Sequence, residues 1–284
     1  MKLHIRHNTM YRYARPISLQ DHQLMIFPRG SHELRILSSS LRCTPEADVQ
    51  WSQDVFGNVV ATASFGEPAD ELVIESLVTV EQCAPAWPVF HIAPGAHSYP
   101  FAYSDSELLD LCSFLSPQHA DLDGTVTTWA NGFVFSCPTD TLSLLKDINN
   151  GVLRDVRYRT RDEAGTQAPA ETLQQASGSC RDIAALFIDA VRRLGLGARA
   201  VSGYLYDPDA WSGDAGSTHA WAEVYLPSAG WVAFDPTHQR VGSAHLVPVA
   251  VGRCNGQIMP VTGGYAGAPE DFIRMDVSVS VLPG

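Results

Sequence analysis

The segment from Ser179 to Asp235 constrains the fold most, because its apolar periodicity changes from helical to strand-like. Residues 180–194 place apolar side chains on one stripe of a helix, and Gly195 follows as a helix-ending residue. Strand-like segments come next, at residues 198–206, 219–226 and 230–235. The turn residues between the last two segments predict a hairpin. This order predicts a helix followed by an antiparallel sheet.

The first part of the chain has a different pattern, in which short β-prone runs alternate with turn residues. The runs lie at residues 3–13, 34–43, 55–65 and 71–81. Residues 54–58, with the sequence Asp-Val-Phe-Gly-Asn, predict a tight turn. The spacing predicts a small antiparallel β-sandwich over residues 1–85.

A Pro-rich joint follows the predicted sandwich and interrupts both strand and helix patterns. Helices are then expected at residues 105–115, 121–131 and 140–150. The sequence therefore predicts an α+β protein in three parts. These are a β-sandwich at 1–85, a helical connecting segment at 86–150, and a core with C-terminal strands at 151–284.

The composition is typical of a globular protein, with 45% hydrophobic and 18% charged residues. A formal charge of −12 argues against a nucleic-acid partner. No apolar run approaches the roughly 20 residues that a membrane span needs, so no membrane association is predicted. The N-terminal residues lack the pattern of a signal peptide, so a cytoplasmic location is expected. The oligomeric state stays open.

The cysteines and histidines give little sign of disulfides or metal sites. Six cysteines are scattered without a Cys-x-x-Cys pair, so free thiols are expected. His4 and His7 are three residues apart in a strand-like stretch, which places their rings on opposite faces. We therefore predict no metal site.

Cys180 differs from the other cysteines because it is predicted to open a helix. Ser179 is a natural N-cap, and Asp182 completes a Ser-x-x-Asp version of the capping box. The helix dipole and the free N–H groups at such a position favour a thiolate. The backbone N–H of Cys180 could also stabilise an oxyanion. The remaining five cysteines are expected to pack as small apolar side chains.

A general base and a group that orients it are expected in the predicted hairpin. If Tyr225 pairs with Trp231, then Trp221 lies opposite Asp235, and His219 is the diagonal neighbour of Asp235 on the same face. Diagonal neighbours lie roughly 7–8 Å apart, which Asp and His side chains can bridge. Asp235 would then fix the imidazole tautomer and leave the other ring nitrogen for the thiol.

Several ordered motifs resemble the transglutaminase-like core of bacterial proteins, a member of the papain-like cysteine protease superfamily. They are Gly178-Ser179-Cys180-Arg181-Asp182, the segment 199–204, the segment 219–225 and the segment 230–237. The front of the chain resembles the β-rich N-terminal region that accompanies this core, through residues 7–13, Pro28-Arg29 and residues 54–58. The resemblance covers nearly the whole chain.

The resemblance implies a papain-like core of helices packed on an antiparallel sheet, with Cys180 as nucleophile, His219 as base and then acid, and Asp235 orienting the histidine. It implies attack on a peptide or protein amide through a thioester, without a cofactor. Three positions depart from the family pattern, namely Ile183, Thr218 and His238, the last standing where Asn is frequent. None of them is in the triad.

The sequence leaves three functions open. Hydrolysis of a peptide or isopeptide bond is the leading one, and transglutaminase acyl transfer to an amine uses the same residues. A non-catalytic binding module on this scaffold is the third, because a fold does not imply an activity. Trp221, Trp231 and Tyr158 are candidates for a substrate groove, and Tyr158 for an oxyanion donor, with packing as the alternative for each.

Overall fold

The computed structural model describes residues 1–161, 163–207 and 216–284, with only the backbone described at residues 216 and 217. The first part of the chain consists of strands β1 (Lys2–Leu19), β2 (His22–Leu24), β3 (Leu34–Thr44), β4 (Asp48–Gln53), β5 (Val59–Ser64) and β6 (Ala69–Gln82). The middle part contains β7 (Ser98–Tyr99), α1 (Asp105–Leu115), α2 (Thr125–Asn131), β8 (Thr139–Asp140), α3 (Thr141–Asp155), β9 (Arg157–Tyr158), α4 (Pro169–Gln175) and β10 (Ser177–Gly178).

The last part begins with the helix that the periodicity predicted. Its elements are α5 (Cys180–Arg193), β11 (Ala198–Tyr206), β12 (Gly216–Leu226), β13 (Gly230–Asp235), β14 (Arg240–Val241), β15 (Leu246–Gly252), β16 (Val261–Thr262), β17 (Tyr265–Ala266) and β18 (Phe272–Pro283). Short 3₁₀ turns lie at Pro94–Ala96, Asn255–Gln257 and Pro269–Asp271. None of the helices in the described part of the chain has the length and hydrophobicity of a membrane span.

Two antiparallel sheets form the predicted β-sandwich. In one sheet β6 lies between β1 and β3, and β18 and β17 pair with β1; the other has the order β16-β2-β5-β4. A cluster of buried apolar residues joins them, including Leu24 and Ala63 from the second sheet and Leu72 and Ile74 from the first. The predicted turn at residues 54–58 forms, with Gly57 at a φ of 72° that favours glycine.

The C-terminal strands give a result that the sequence did not predict. β18 pairs antiparallel with β1 along almost its whole length, from Leu3 opposite Pro283 to Tyr13 opposite Phe272. In addition, Leu3 and Ile5 of β1 share one apolar cluster with residues of α5. The pairing of β18 with β1 and the shared core join the first and third of the three predicted parts. The division of the chain into three parts stays a prediction.

The site-bearing sheet has the order β14-β13-β12-β11-β15, and α5 packs on it. The helix buries its apolar stripe, including Ile183, Phe187 and Val191, and Gly195 ends it at a φ of 80°. The chain is therefore an α+β protein with helices on an antiparallel sheet, as predicted.

Two helix boundaries were predicted wrongly. Helix α2 was expected to begin at residue 121, but it begins at Thr125. Helix α3 was expected to end at Asn150, but it continues through Gly151 to Asp155. A Cβ atom at Gly151 would lie 2.3 Å from the Phe133 ring, so this glycine lets the ring pack closely against the helix.

Candidate active site

Asp182 organises the start of α5, where Cys180 is the first helical residue. Its Oδ2 accepts the Ser179 N–H at 2.8 Å and the Ser179 hydroxyl at 2.7 Å. The predicted contact of Asp182 with its N-cap residue is thus present. The first N–H groups of a helix have no intrahelical acceptor, so the helix start offers free donors around Cys180.

Two further donors hold Asp182 from the segment before α4. Arg161 Nη1 lies 2.8 Å from Asp182 Oδ1, and the Gln167 N–H donates to the same oxygen at 2.7 Å. The Asp182 side chain is fully buried, so a charged partner is needed there. This cluster was not predicted from the sequence, because Arg161 and Gln167 lie outside any stretch with a periodic pattern.

The hairpin of β12 and β13 brings His219 to Asp235. Tyr225 pairs with Trp231, which confirms the predicted register. His219 Nε2 lies 2.9 Å from Asp235 Oδ2, and both side chains are almost completely buried. The other ring nitrogen, Nδ1, is left for Cys180, whose thiol is hydrogen-bonded to the His219 ring. The structure therefore brings the three predicted side chains into one line of contacts.

The Asp235 carboxylate has more partners than the sequence predicted. Its Oδ1 accepts the backbone N–H groups of Thr237 at 3.0 Å and His238 at 3.3 Å. Its Oδ2 also lies 2.9 Å from His238 Nδ1. Burial disfavours the carboxylate, but the two histidines outweigh it and hold the pKa of Asp235 below its ordinary range. His238 had been noted as a departure from the family pattern, without this contact.

Cys180 and His219 favour the ion-pair state together. For His219, burial opposes a charge, but the charge and hydrogen bond of Asp235, with those of Cys180, raise its pKa to about 10. For Cys180, burial favours the thiol, but His219 and the backbone N–H groups of Ala220 and Arg181 lower its pKa below the ordinary value. The thiolate–imidazolium pair is the state that this geometry stabilises.

Two of the three residues proposed for a substrate groove, Trp221 and Trp231, do not line one in the structure. Trp221 is 1% exposed, and its ring stacks on that of His219 at a centroid distance of 6.0 Å, so it supports the histidine and lines no groove. Trp231 is also not at the site. It lies four residues along the strand from Asp235, roughly 13 Å away, where its ring contacts Arg199 and Phe114.

Tyr158 is the groove candidate that the structure places near Cys180. It is 48% exposed, and in the short parallel pair of β9 and β10 it is paired with Gly178. A Cβ atom at Gly178 would lie 2.9 Å from Asp182 Cβ, so this close approach requires glycine. A role for Tyr158 in oxyanion stabilisation stays a prediction.

One group of side chains in the described part of the chain has the spacing for a metal ion. His219, Asp235 and His238 can each offer a ligand atom, and these atoms lie within 4.8 Å of one another. Both histidine nitrogens already face Asp235 Oδ2 at 2.9 Å, which is the geometry of a hydrogen-bonded network. His4 and His7 lie on opposite faces of β1, as predicted, one exposed and one buried.

Two family models match this chain, one near its start and one over the segment that contains the candidate site. Residues 3–81 match the family described as "Bacterial transglutaminase-like N-terminal region", and residues 127–236 match the family described as "Transglutaminase-like superfamily". Uncharacterized protein Mb2599c of Mycobacterium bovis is 28% identical over 98% of this chain and 92% of its own length. Uncharacterized protein ML0607 of Mycobacterium leprae is 24% identical over 99% of both chains.

A solved structure from Cytophaga hutchinsonii, named as a "Putative Cysteine Protease", has a similar fold. It superposes with a TM-score of 0.76 at 20% identity and covers 100% of this chain and 91% of its own. At this identity the likeness establishes the fold. The two family matches, together with this fold, support cysteine-based catalysis. Residues 127–236 therefore carry a match to the transglutaminase-like superfamily, and residues 3–81 carry a match to the bacterial transglutaminase-like N-terminal region.

Proposed function

We propose that this protein hydrolyses a peptide or isopeptide amide through a thioester on Cys180. The observation that carries the proposal is the continuous line of contacts from the Cys180 thiol through the His219 ring to Asp235 Oδ2. A thiolate at a helix start next to an imidazolium is the arrangement that cysteine nucleophiles use.

In the first half-reaction the thiolate attacks the amide carbonyl carbon and forms a C–S bond. The Cys180 N–H is the proposed donor to the oxyanion. The His219 imidazolium then gives its proton to the departing nitrogen as the C–N bond breaks, which releases an amine and leaves a thioester. Asp235 keeps the ring oriented throughout.

In the second half-reaction the neutral imidazole takes a proton from water as the oxygen attacks the thioester. The C–S bond breaks, a carboxylic acid leaves, and the thiolate–imidazolium pair is restored. An amine in place of water would give acyl transfer by the same residues. The choice between these acceptors depends on what reaches the thioester.

A peptide library with intact-protein mass spectrometry tests the proposal. We expect cleaved peptides and a transient acyl adduct that maps to Cys180, both lost in Cys180→Ala and kept in the control Cys112→Ala, which removes an exposed cysteine. A labelled primary amine in the same assay would enter the products if acyl transfer is the main reaction. Unchanged cleavage by Cys180→Ala would contradict the proposal. No cleavage and no adduct with any peptide would favour the binding module.

A further inference from the structure

A cleft of about 500 Å³ opens on the Asp235 side of the active site. The Pro-rich joint contributes Trp87 to its wall, helix α3 contributes Lys146, and the chain around β14 contributes Arg240 and His245. Asp235 itself lines the cleft. Since His219 stands between Cys180 and Asp235, the cleft lies beyond the imidazole as seen from the sulfur.

The cleft has a basic wall in a chain whose formal charge is −12. Within the described ranges, Arg240 faces the carboxylate of Asp207, at the long distance of 3.8 Å. The Asp235 oxygens are held by His219, His238 and backbone N–H groups. Lys146 is exposed, and its charge acts on the carboxylate of Asp140. Among the described residues, Arg240 therefore has no carboxylate partner closer than 3.8 Å.

Two donors on this wall have no acceptor among the described residues. Arg240 Nη1 and His245 Nδ1 are both buried atoms without a hydrogen-bonding partner there. Buried polar groups normally have partners, and an unpaired one is costly. A carboxylate accepts hydrogen bonds through either of its oxygens and is a suitable partner for a guanidinium group.

The Pro-rich joint contributes two aromatic side chains to the lining of the cleft. Trp87 is 91% exposed although it is a large apolar side chain, and Phe90 lies beside it with partial burial. Exposed aromatic side chains next to a polar wall are typical of binding sites, because they offer contact area at a low entropic cost.

The reaction itself decides which part of a substrate lies here. The departing nitrogen takes its proton from the His219 ring, so the leaving group lies on the imidazole side of Cys180. From this the geometry points to a subsite that binds a carboxylate on the leaving-group side of the scissile amide, next to an apolar side chain. This inference rests on the proposed function. The carboxylate belongs to an acidic side chain or to a free C-terminus.

Binding to the Cys180→Ala protein tests the subsite without turnover. The probes are acetyl-Ala-Ala-Leu-Glu-amide, the same peptide with Gln in place of Glu, and the Gln peptide with a free C-terminal carboxylate, measured by calorimetry. We expect at least one carboxylate probe to bind about tenfold more tightly than the neutral amide, as one charge-assisted hydrogen bond allows. Preference for Glu identifies the side chain, and preference for the free acid identifies the C-terminus.

Arg240→Gln, made in the Cys180→Ala protein, should abolish that preference. The matched control Arg274→Gln, at an exposed arginine of β18, should keep it. Lys146→Gln offers a second variant, on an exposed helix position, and should reduce the preference less. Equal binding of charged and neutral probes, or equal effects of Arg240→Gln and Arg274→Gln, would overturn the inference.

The active protein then tests the direction of binding. If the cleavage proposal holds, the acyl adduct on Cys180 should carry the fragment without the preferred carboxylate, because the acidic fragment leaves first. An acidic fragment attached to Cys180 would overturn the leaving-group assignment. Carboxylate binding without any cleavage would instead keep the cleft as a binding site and count against the proposed function alone.

Discussion

Two of the buried histidine side chains of this protein, in different regions of the fold, have opposite electrostatics. His7 lies where β1 meets the core, with its ring nitrogens 3.0 Å from the Tyr204 hydroxyl and 3.1 Å from that of Thr9. His219 lies between Cys180 and Asp235. Burial lowers the pKa of His7 to about 4, whereas Asp235 and Cys180 raise that of His219 to about 10 despite its burial.

The difference teaches that burial alone does not indicate the role of a histidine. Neutral hydroxyl partners leave His7 an uncharged connector between the N-terminal sheet and β11. Charged partners favour the cationic form of His219, which stabilises a thiolate on Cys180. The two regions are therefore a structural and a chemical use of the same side chain, and each can be changed separately.

The largest expected effect is a loss of folding stability at acid pH that comes from protonation of His7. Its folded pKa lies below the unfolded value of 6.5, so the unfolded chain binds this proton first and stability is lost as the pH falls from about 6.5 to about 4. The loss should reach about 3 kcal/mol of unfolding free energy at the acid end. Urea unfolding of wild type and His7→Gln across this range measures it.

The His7→Gln protein should be less stable at pH 7 but should lack this part of the acid dependence. His4→Gln, on the exposed face of the same strand, should behave like wild type. Parallel pH profiles of wild type and His7→Gln would show that His7 is not the buried neutral group described here.

The second effect is expected from Asp235→Asn, which keeps the side-chain shape and removes the charge that distinguishes His219 from His7. The pKa of His219 should fall and that of Cys180 should rise, so less thiolate is present at pH 7. A change of two pKa units gives about a hundredfold slower alkylation of Cys180 by iodoacetamide. Asp271→Asn, which removes the Arg15 ion pair far along the chain, is the control. Equal alkylation rates in Asp235→Asn and wild type would show that the Asp235 charge does not cause the difference between His219 and His7.

The smallest effect is expected from His238→Gln. The His238 side chain is 28% exposed and is one of several donors to Asp235. Loss of one hydrogen bond of about 1 kcal/mol should change the alkylation rate at pH 7 by a few-fold at most. A loss as large as that of Asp235→Asn would mean that His238 belongs to the reacting group of residues.

The site could be predicted because its signals are local and ordered. Cys180 follows an N-cap residue, and the hairpin register that joins Tyr225 to Trp231 also brings His219 to Asp235. The α+β class, the helices α1, α2, α3 and α5, and longer strands such as β1, β6 and β11 followed from periodicity and turn residues in the same way.

What could not be predicted depends on contacts between distant parts of the chain. Arg161 reaches Asp182 from an irregular segment, and β18 returns to pair with β1. Trp221 is buried beneath His219, although an alternating strand with a tryptophan is equally compatible with an exposed ring. Neither periodicity nor spacing carries information on which distant surface will cover a side chain.

The rate of iodoacetamide alkylation at Cys180 as a function of pH tests the central claim most directly, with peptide mapping to separate the six cysteines. Because the pKa of Cys180 is lowered and that of His219 is raised, we expect rapid labelling that persists as the pH falls well below 8, where ordinary thiols become protonated. His219→Ala should shift the profile upward. Labelling of Cys180 with the pH dependence of a free thiol, unchanged in His219→Ala, would contradict the assembled triad.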